Sequence, residues 1–291
     1  MTSGPRDARQ EAFDRIGGRY EVRVLEPSPP AVSAEPWFAD DPAARGEVPA
    51  GTELVSPVTK GDLMWSDLFD DFEGLAGWAR ERWLTGDQPL PPLPAALIET
   101  RLALHRLAEN VISPAREKAN GKIGLRFTFG GFGTPYFGDD EQLRVQGDRL
   151  IRESRAGSSE EQLDVDAAAS AFLGDWFGFT CNVLEQLRAE AGPELEASRV
   201  QLWPEHFDLA TEFGAEADGE RAGYGGSPGD ELHPEPYLYV VPWDQSHAEG
   251  DAWNSEAFKG AELSYAQLLE SAAPRELALD FFRSRLQLLA G

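Results

Sequence analysis

The sequence predicts an α+β protein, an antiparallel sheet packed against three or four helices. Three observations lead there. Period-two alternation of apolar and polar residues recurs in short runs, over 123–129, 207–213 and 237–243. Longer stretches carry their apolar residues at helical spacing, and they are grouped between and after the strands. They do not alternate with strands one for one, as a parallel sheet would require. Finally, Gly147-Asp148 and Asp218-Gly219 are turn dipeptides of the kind that join neighbouring antiparallel strands.

Residues 1–51 form the first of two expected regions, a Pro-, Ala- and acid-rich arm with one short strand, marked by Tyr20, Val22 and Val24. Residues 52–291 form the second, a single α+β domain. A helix is expected from about Asp67 to Leu84, closed by the stiff run from Pro89 to Pro94. The next helix has Leu97, Leu104, Ala108 and Val111 on one face, with Ile98, Leu102 and Ile112 beside them and His105 at the packing edge. Ser113-Pro114 restarts or kinks it, and Asn120-Gly121 caps it. Ile123, Leu125, Phe127 and Phe129 mark a half-buried strand. A hairpin follows about Gly147-Asp148. Asp164 or Asp166 caps a helix reaching about Glu190, in which Gly174 and Gly178 permit close approach and Cys181 is a small buried residue. Helical spacing returns from Tyr265 to Ser271 and again from Pro274.

Composition narrows the function. The net charge of −25 repels phosphate backbones and anionic membranes, which argues against nucleic acid as a partner. No apolar run approaches the roughly 18 residues that a membrane helix needs. The first residues lack the basic-then-apolar pattern of a secretory signal, so a cytoplasmic protein is the simplest expectation. One cysteine excludes an intramolecular disulfide and any cysteine-clustered zinc site.

The best lead to a site is a pair of His-bearing segments. Trp203-Pro204-Glu205-His206-Phe207-Asp208 is answered by Asp230-Glu231-Leu232-His233-Pro234-Glu235-Pro236-Tyr237. Three strands, over 207–213, 221–226 and 237–243, would form a meander. Its geometry brings the start of the first strand to the end of the second and the start of the third. His206 and His233 would then meet beside Asp208, Asp230 and Glu235. An early strand start would also place His206 and Asp208 on one face.

Three chemistries fit such a group. His206, Asp208, His233 and Glu235 are residue types that bind a divalent metal such as Zn, Fe or Mn. Without metal, His206, His233 and Glu235 suit proton transfer, because imidazole titrates near neutral pH. Trp203, Glu205, Asp230 and Tyr237 would line the ligand. The third possibility is structural, with carboxylates holding the imidazoles in a Pro-rich turn. The rival function is a non-catalytic interaction protein that engages another protein through its acidic surface and arm.

These motifs, with Ser227-Pro228-Gly229-Asp230 and the continuation Leu238-Tyr239, resemble those of an uncharacterised bacterial protein family, a domain of unknown function. The segments Leu102–Ala108 and Gly130–Pro135 are similar to sequences of close bacterial relatives. The resemblance implies a bacterial, single-unit protein and brings no catalytic residues with it. Two other motifs do not hold. Gly225-Gly226-Ser227-Pro228-Gly229 fits G-x-S-x-G, but Pro228 lacks the amide that an oxyanion hole needs. The loop from Gly130 to Tyr136 has tyrosine where a dinucleotide fingerprint has its third glycine, and Asp139-Asp140-Glu141 downstream would repel an anion.

Overall fold

The structure, a computed structural model, describes residues 21–23, 53–55, 90–128, 130–134, 141–154, 157–198 and 200–290. Strands β1 (Glu21–Arg23) and β2 (Glu53–Val55) pair antiparallel. The rest of the arm and the helix expected near 67–84 lie outside the described residues. Helix α1 (Leu97–Leu107) runs through a π-helical segment, Ala108–Ile112, into α2 (Ser113–Asn120), which ends on Gly121 at φ 73. Strands β3 (Arg126–Thr128), β4 (Gly131–Gly133), β5 (Gln142–Gln146), β6 (Arg149–Ser154) and β7 (Gly157–Gln162) form one antiparallel sheet in chain order. Helix α3 (Ala167–Glu190) follows. Strands β8 (Gln201–Trp203), β9 (Asp208–Phe213), β10 (Ala222–Ser227), β11 (Tyr237–Pro242) and β12 (Ala261–Ser264) form a second, also in chain order. Helices α4 (Tyr265–Glu270) and α5 (Pro274–Leu289) close the chain.

The fold is therefore α+β and antiparallel, with two five-stranded sheets. They meet edge to edge, where Leu125 beside β3 and Leu202 of β8 exchange both backbone hydrogen bonds, at 2.7 and 2.8 Å. Helix α3 packs against strands of both sheets and against α1 and α5. Its sequence explains that place. Every residue from Trp176 to Leu184, more than two helical turns, is buried. That stretch, Trp176-Phe177-Gly178-Phe179-Thr180-Cys181-Asn182-Val183-Leu184, has no charged residue on any side and is covered on every side. Asp166 caps its first turn by accepting from the amide of Ala169 at 2.8 Å.

Two local readings change. Val111, Ile98 and Leu102 are exposed, whereas Thr100, Arg101 and Ile112 are buried with Leu97, Leu104 and Ala108. The buried stripe of α1 is thus 97, 101, 104 and 108, and the wider π turn carries it to Ile112 in place of Val111. Strand β3 is shorter than the alternation suggests and is buried on both faces rather than half-buried.

Gly174 is where α3 comes nearest the first sheet. A Cβ there would sit 2.7–2.8 Å from backbone atoms of Gly130 and Gly131. Gly174→Ala is expected to push the helix off the sheet and lower stability by about 1–3 kcal/mol, as overpacking does. Urea unfolding checks this, and an unchanged midpoint would contradict the packing described.

Candidate functional site

The meander forms as expected, and its register decides which side chains share a face. Tyr239 lies opposite Gly225 on one side and Glu262 on the other. Tyr237 lies opposite Ser227, and Trp203 opposite Asp208. Since alternate residues share a side, these side chains all point away from α3, while Leu238, Val240 and Leu209 point towards it and are fully buried.

Three carboxylates on this face each take a donor from β11 or the loop before it. Tyr239 donates its hydroxyl to Asp208 Oδ2. It reaches across β10 because Gly225 leaves the way open; a Cβ there would collide with the tyrosine ring and hydroxyl. Tyr237 donates to Asp230 Oδ2 at 2.6 Å. His233 Nε2 lies 3.1 Å from Glu262 Oε2, and its Nδ1 lies 3.5 Å from Asp230 Oδ1. Ser255 also donates to Glu262, at 2.7 Å. Phe258 stands against this group, with ring centroids 6.3 Å from Tyr237 and 6.5 Å from Tyr239.

The loop between β10 and β11 is held by two devices. Asp230 Oδ1 accepts the amides of Leu232 and His233, both at 2.7 Å, an Asx turn. Arg101 of α1 donates to the carbonyls of Pro228, Pro234 and Asp230, at 3.2–3.4 Å. Its guanidinium occupies the space that a side chain at Gly229 would need, where φ is 105. Hydrogen bonds from a charged donor each contribute roughly 1.5–3 kcal/mol. Arg101→Met is therefore expected to cost on the order of 3 kcal/mol and to speed hydrogen exchange at the amides of Leu232 and His233. Unchanged exchange at those amides would show that the loop holds itself.

The other His-bearing segment is a hairpin turn joining β8 to β9. Phe207 accepts a left-handed backbone, φ 55, at a cost of about 1–2 kcal/mol for a side chain of its kind. Burial holds it there. Its ring stacks on His105 of α1 at 5.3 Å and meets Phe132 and Phe177 edge-on at 5.0 and 5.2 Å. Because β9 begins at Asp208, His206 is not a strand residue. Both His206 and Glu205 are exposed at the turn, although both act electrostatically on Asp208.

The structure thus brings together Asp208, Asp230, His233 and Tyr237 of the predicted set, with Trp203 beside Asp208 in the ladder. Glu235 is exposed, and no ring contact or hydrogen bond joins His206 to His233 among the described residues. The sequence reading did not single out Tyr239, Glu262, Ser255, Phe258 or Arg101. Among the described residues, no group of three or more His, Cys, Asp or Glu side chains is arranged to hold a metal ion. For His233 the geometry is plain: its two carboxylate neighbours lie at opposite ring nitrogens, so one ion cannot sit among all three.

Asp208 has the most unusual surroundings. It is buried, with 7% of its surface exposed, and Oδ1 has no hydrogen-bond partner among the described residues. Burial pushes its carboxyl above the ordinary range, with Glu205 adding to the rise, against the opposing pull of the Tyr239 hydroxyl and His206. Burial, then Asp208, pushes the Tyr239 phenol well up, and burial with Asp230 does the same to Tyr237. Burial also raises Asp230, but the Tyr237 hydroxyl and the amides of His233 and Leu232 outweigh it and hold that carboxyl below its usual range.

These directions have opposite signs in stability. Between the ordinary aspartate range, about 4, and its raised native value, native Asp208 keeps a proton that the unfolded chain has lost. Its contribution to stability therefore falls as pH climbs through that window. Asp230 contributes stability above the ordinary range, lost as pH falls through its depressed native value. Asp208→Asn leaves an oxygen to accept from Tyr239 and removes the first slope. The variant is expected to gain on the wild type as pH rises from 4 to 8, by about 1.4 kcal/mol for each tenfold difference in proton affinity between native and unfolded chains. Urea unfolding across that range measures it, and parallel curves would show that Asp208 carries no such penalty.

Comparison of the chain with protein-family models, with curated proteins and with solved structures finds no match. No helix among the described residues is long and apolar enough to cross a membrane.

Proposed function

We propose that this protein binds a small molecule on the face of the second sheet that carries Asp208, Tyr239 and Tyr237, with His233, Asp230 and Glu262 as its wall. The observation that carries this reading is the Asp208 carboxylate, buried with one oxygen held by Tyr239 and the other without a partner. An unsatisfied buried acceptor costs about 1–3 kcal/mol, and more when charged. Groups kept at such a cost, with perturbed proton affinity, concentrate at functional sites.

Asp208 has two uses in this reading. Uncharged, it is an acid that can donate to a ligand oxygen; ionised, it is a base or an anchor for a donor. Its raised proton affinity suits it to proton transfer nearer neutrality than an ordinary aspartate. Asp208 takes the role expected of Glu235, which stands at the exposed rim, and His206 tunes it from the turn. If a divalent metal also binds, the available imidazole and carboxylates are those of His233 with Glu262 or Asp230. His233 would then give up one carboxylate neighbour. A cytoplasmic setting and an uncharacterised bacterial family remain our proposals, the family carried by the motifs over 203–208, 227–230 and 233–239 with the segments 102–108 and 130–135.

A thermal-shift screen of small molecules tests the site. Compounds that stabilise the wild type are expected to lose that effect in both Asp208→Asn and Tyr239→Phe, while the variants keep native circular dichroism. Hits that stabilise both variants as well as the wild type would remove the proposal.

A further inference from the structure

We infer that the molecule bound on this face is a small organic cation, an ammonium or guanidinium group on a short apolar body. The inference rests on the site proposed above and adds the class of its ligand.

Charge supplies the first argument. Asp208, Asp230 and Glu262 share the face, and their hydrogen bonds come from two phenols, a serine, an imidazole and backbone amides. None of the described hydrogen bonds or ion pairs joins a lysine or arginine to any of these three carboxylates. The nearby guanidinium of Arg101 is spent on the loop carbonyls. An anionic ligand would meet like charge here, inside the long-range field of a chain with net charge −25.

The second argument is the unused acceptor. Tyr239 takes Asp208 Oδ2, so an N–H donor approaching Oδ1 completes the carboxylate without displacing an existing bond. A cation does more, because it restores the ionised form that burial disfavours. Oδ1 is shielded from water, so entry requires a side chain on this face to shift. Trp203, half-buried and directly across the ladder from Asp208, is the neighbour on the side away from Tyr239.

The third argument is the aromatic surface. Tyr239 lies beside Tyr237, with centroids 6.1 Å apart and planes at 49°, and meets Phe258 at 82°. These rings pack on one another and on His233, whose ring lies 4.4 Å from that of Tyr237, and together they make an aromatic wall beside the carboxylates. A bare metal ion could use neither the rings nor a single carboxylate well, since hard cations need several oxygen ligands. An organic cation needs one carboxylate and an apolar wall, which is what stands here.

A matched set of probes decides the class: n-butylammonium, n-butanol and butyrate, titrated separately into the full chain while the aromatic resonances of Tyr237, Tyr239 and Phe258 are followed by NMR. Butylammonium is expected to shift them saturably, at concentrations at least roughly tenfold below n-butanol, with butyrate inert. Asp208→Asn should weaken butylammonium by a similar factor, and Tyr239→Phe should weaken it while leaving the preference for the cation over the alcohol. Equal or stronger binding of n-butanol or butyrate would overturn the inference, as would a butylammonium response unchanged by Asp208→Asn. A library compound lost in Asp208→Asn, from a protein indifferent to butylammonium, would keep the site and remove the cation. No compound sensitive to either substitution would remove the site itself.

Discussion

Enclosure of the middle of α3, Trp176 to Leu184, is the constraint on which the rest of this architecture rests. A stretch of helix with no charged side cannot lie on a surface, so the chain must supply cover from several directions. Two antiparallel sheets joined at Leu125 and Leu202, with α1 and α5, supply it. One consequence is that each sheet spends one face on the helix. The second sheet's other face is then free to carry polar and aromatic groups, and Tyr237, Tyr239, Asp208 and Glu262 lie there because their alternate neighbours are committed to the core.

On that free face the acids are organised by hydrogen-bond donors. Each carboxylate has at least one O–H or N–H directed at it, and two of them, Asp230 and Glu262, are satisfied more than once. Asp208 is not. The imbalance shows in opposite displacements of two aspartates on one face, Asp230 downward through its hydrogen bonds and Asp208 upward through burial. Environment alone separates two residues of the same type.

Strands β9 and β11 were legible because their alternation is strong, β10 because it follows the Asp218-Gly219 turn, and helix α3 because its cap and length are plain. Strand β7 was not, since Gly157–Gln162 is exposed throughout and has no apolar side to reveal it. Strand β4 is Gly–Phe–Gly and reads as a loop, and β12 has only four residues. The location of the site was legible from the meander, but its membership was not. Tyr239 matters because Gly225 lies opposite, and pairing register is not written in either segment. Arg101 carried a signal that could have been used: it stands at 101 in a stripe of 97, 104 and 108, a charged residue where the helix turns inward. Phe207 was placed in a strand, and an early start that would align His206 with Asp208 was left open, because nothing local announces that Phe207 adopts a positive φ.

That helix has a mechanical role beyond packing. Arg101 grips the loop between β10 and β11 by its carbonyls, and one turn later His105 stacks on the ring that anchors the turn between β8 and β9. The two His-bearing segments, distant in sequence, are thus leashed to the same few ångströms of α1. Any displacement of that turn, by whatever is joined to its N-terminal end, would drag both together and alter the spacing of Asp208 and Asp230 in a single motion.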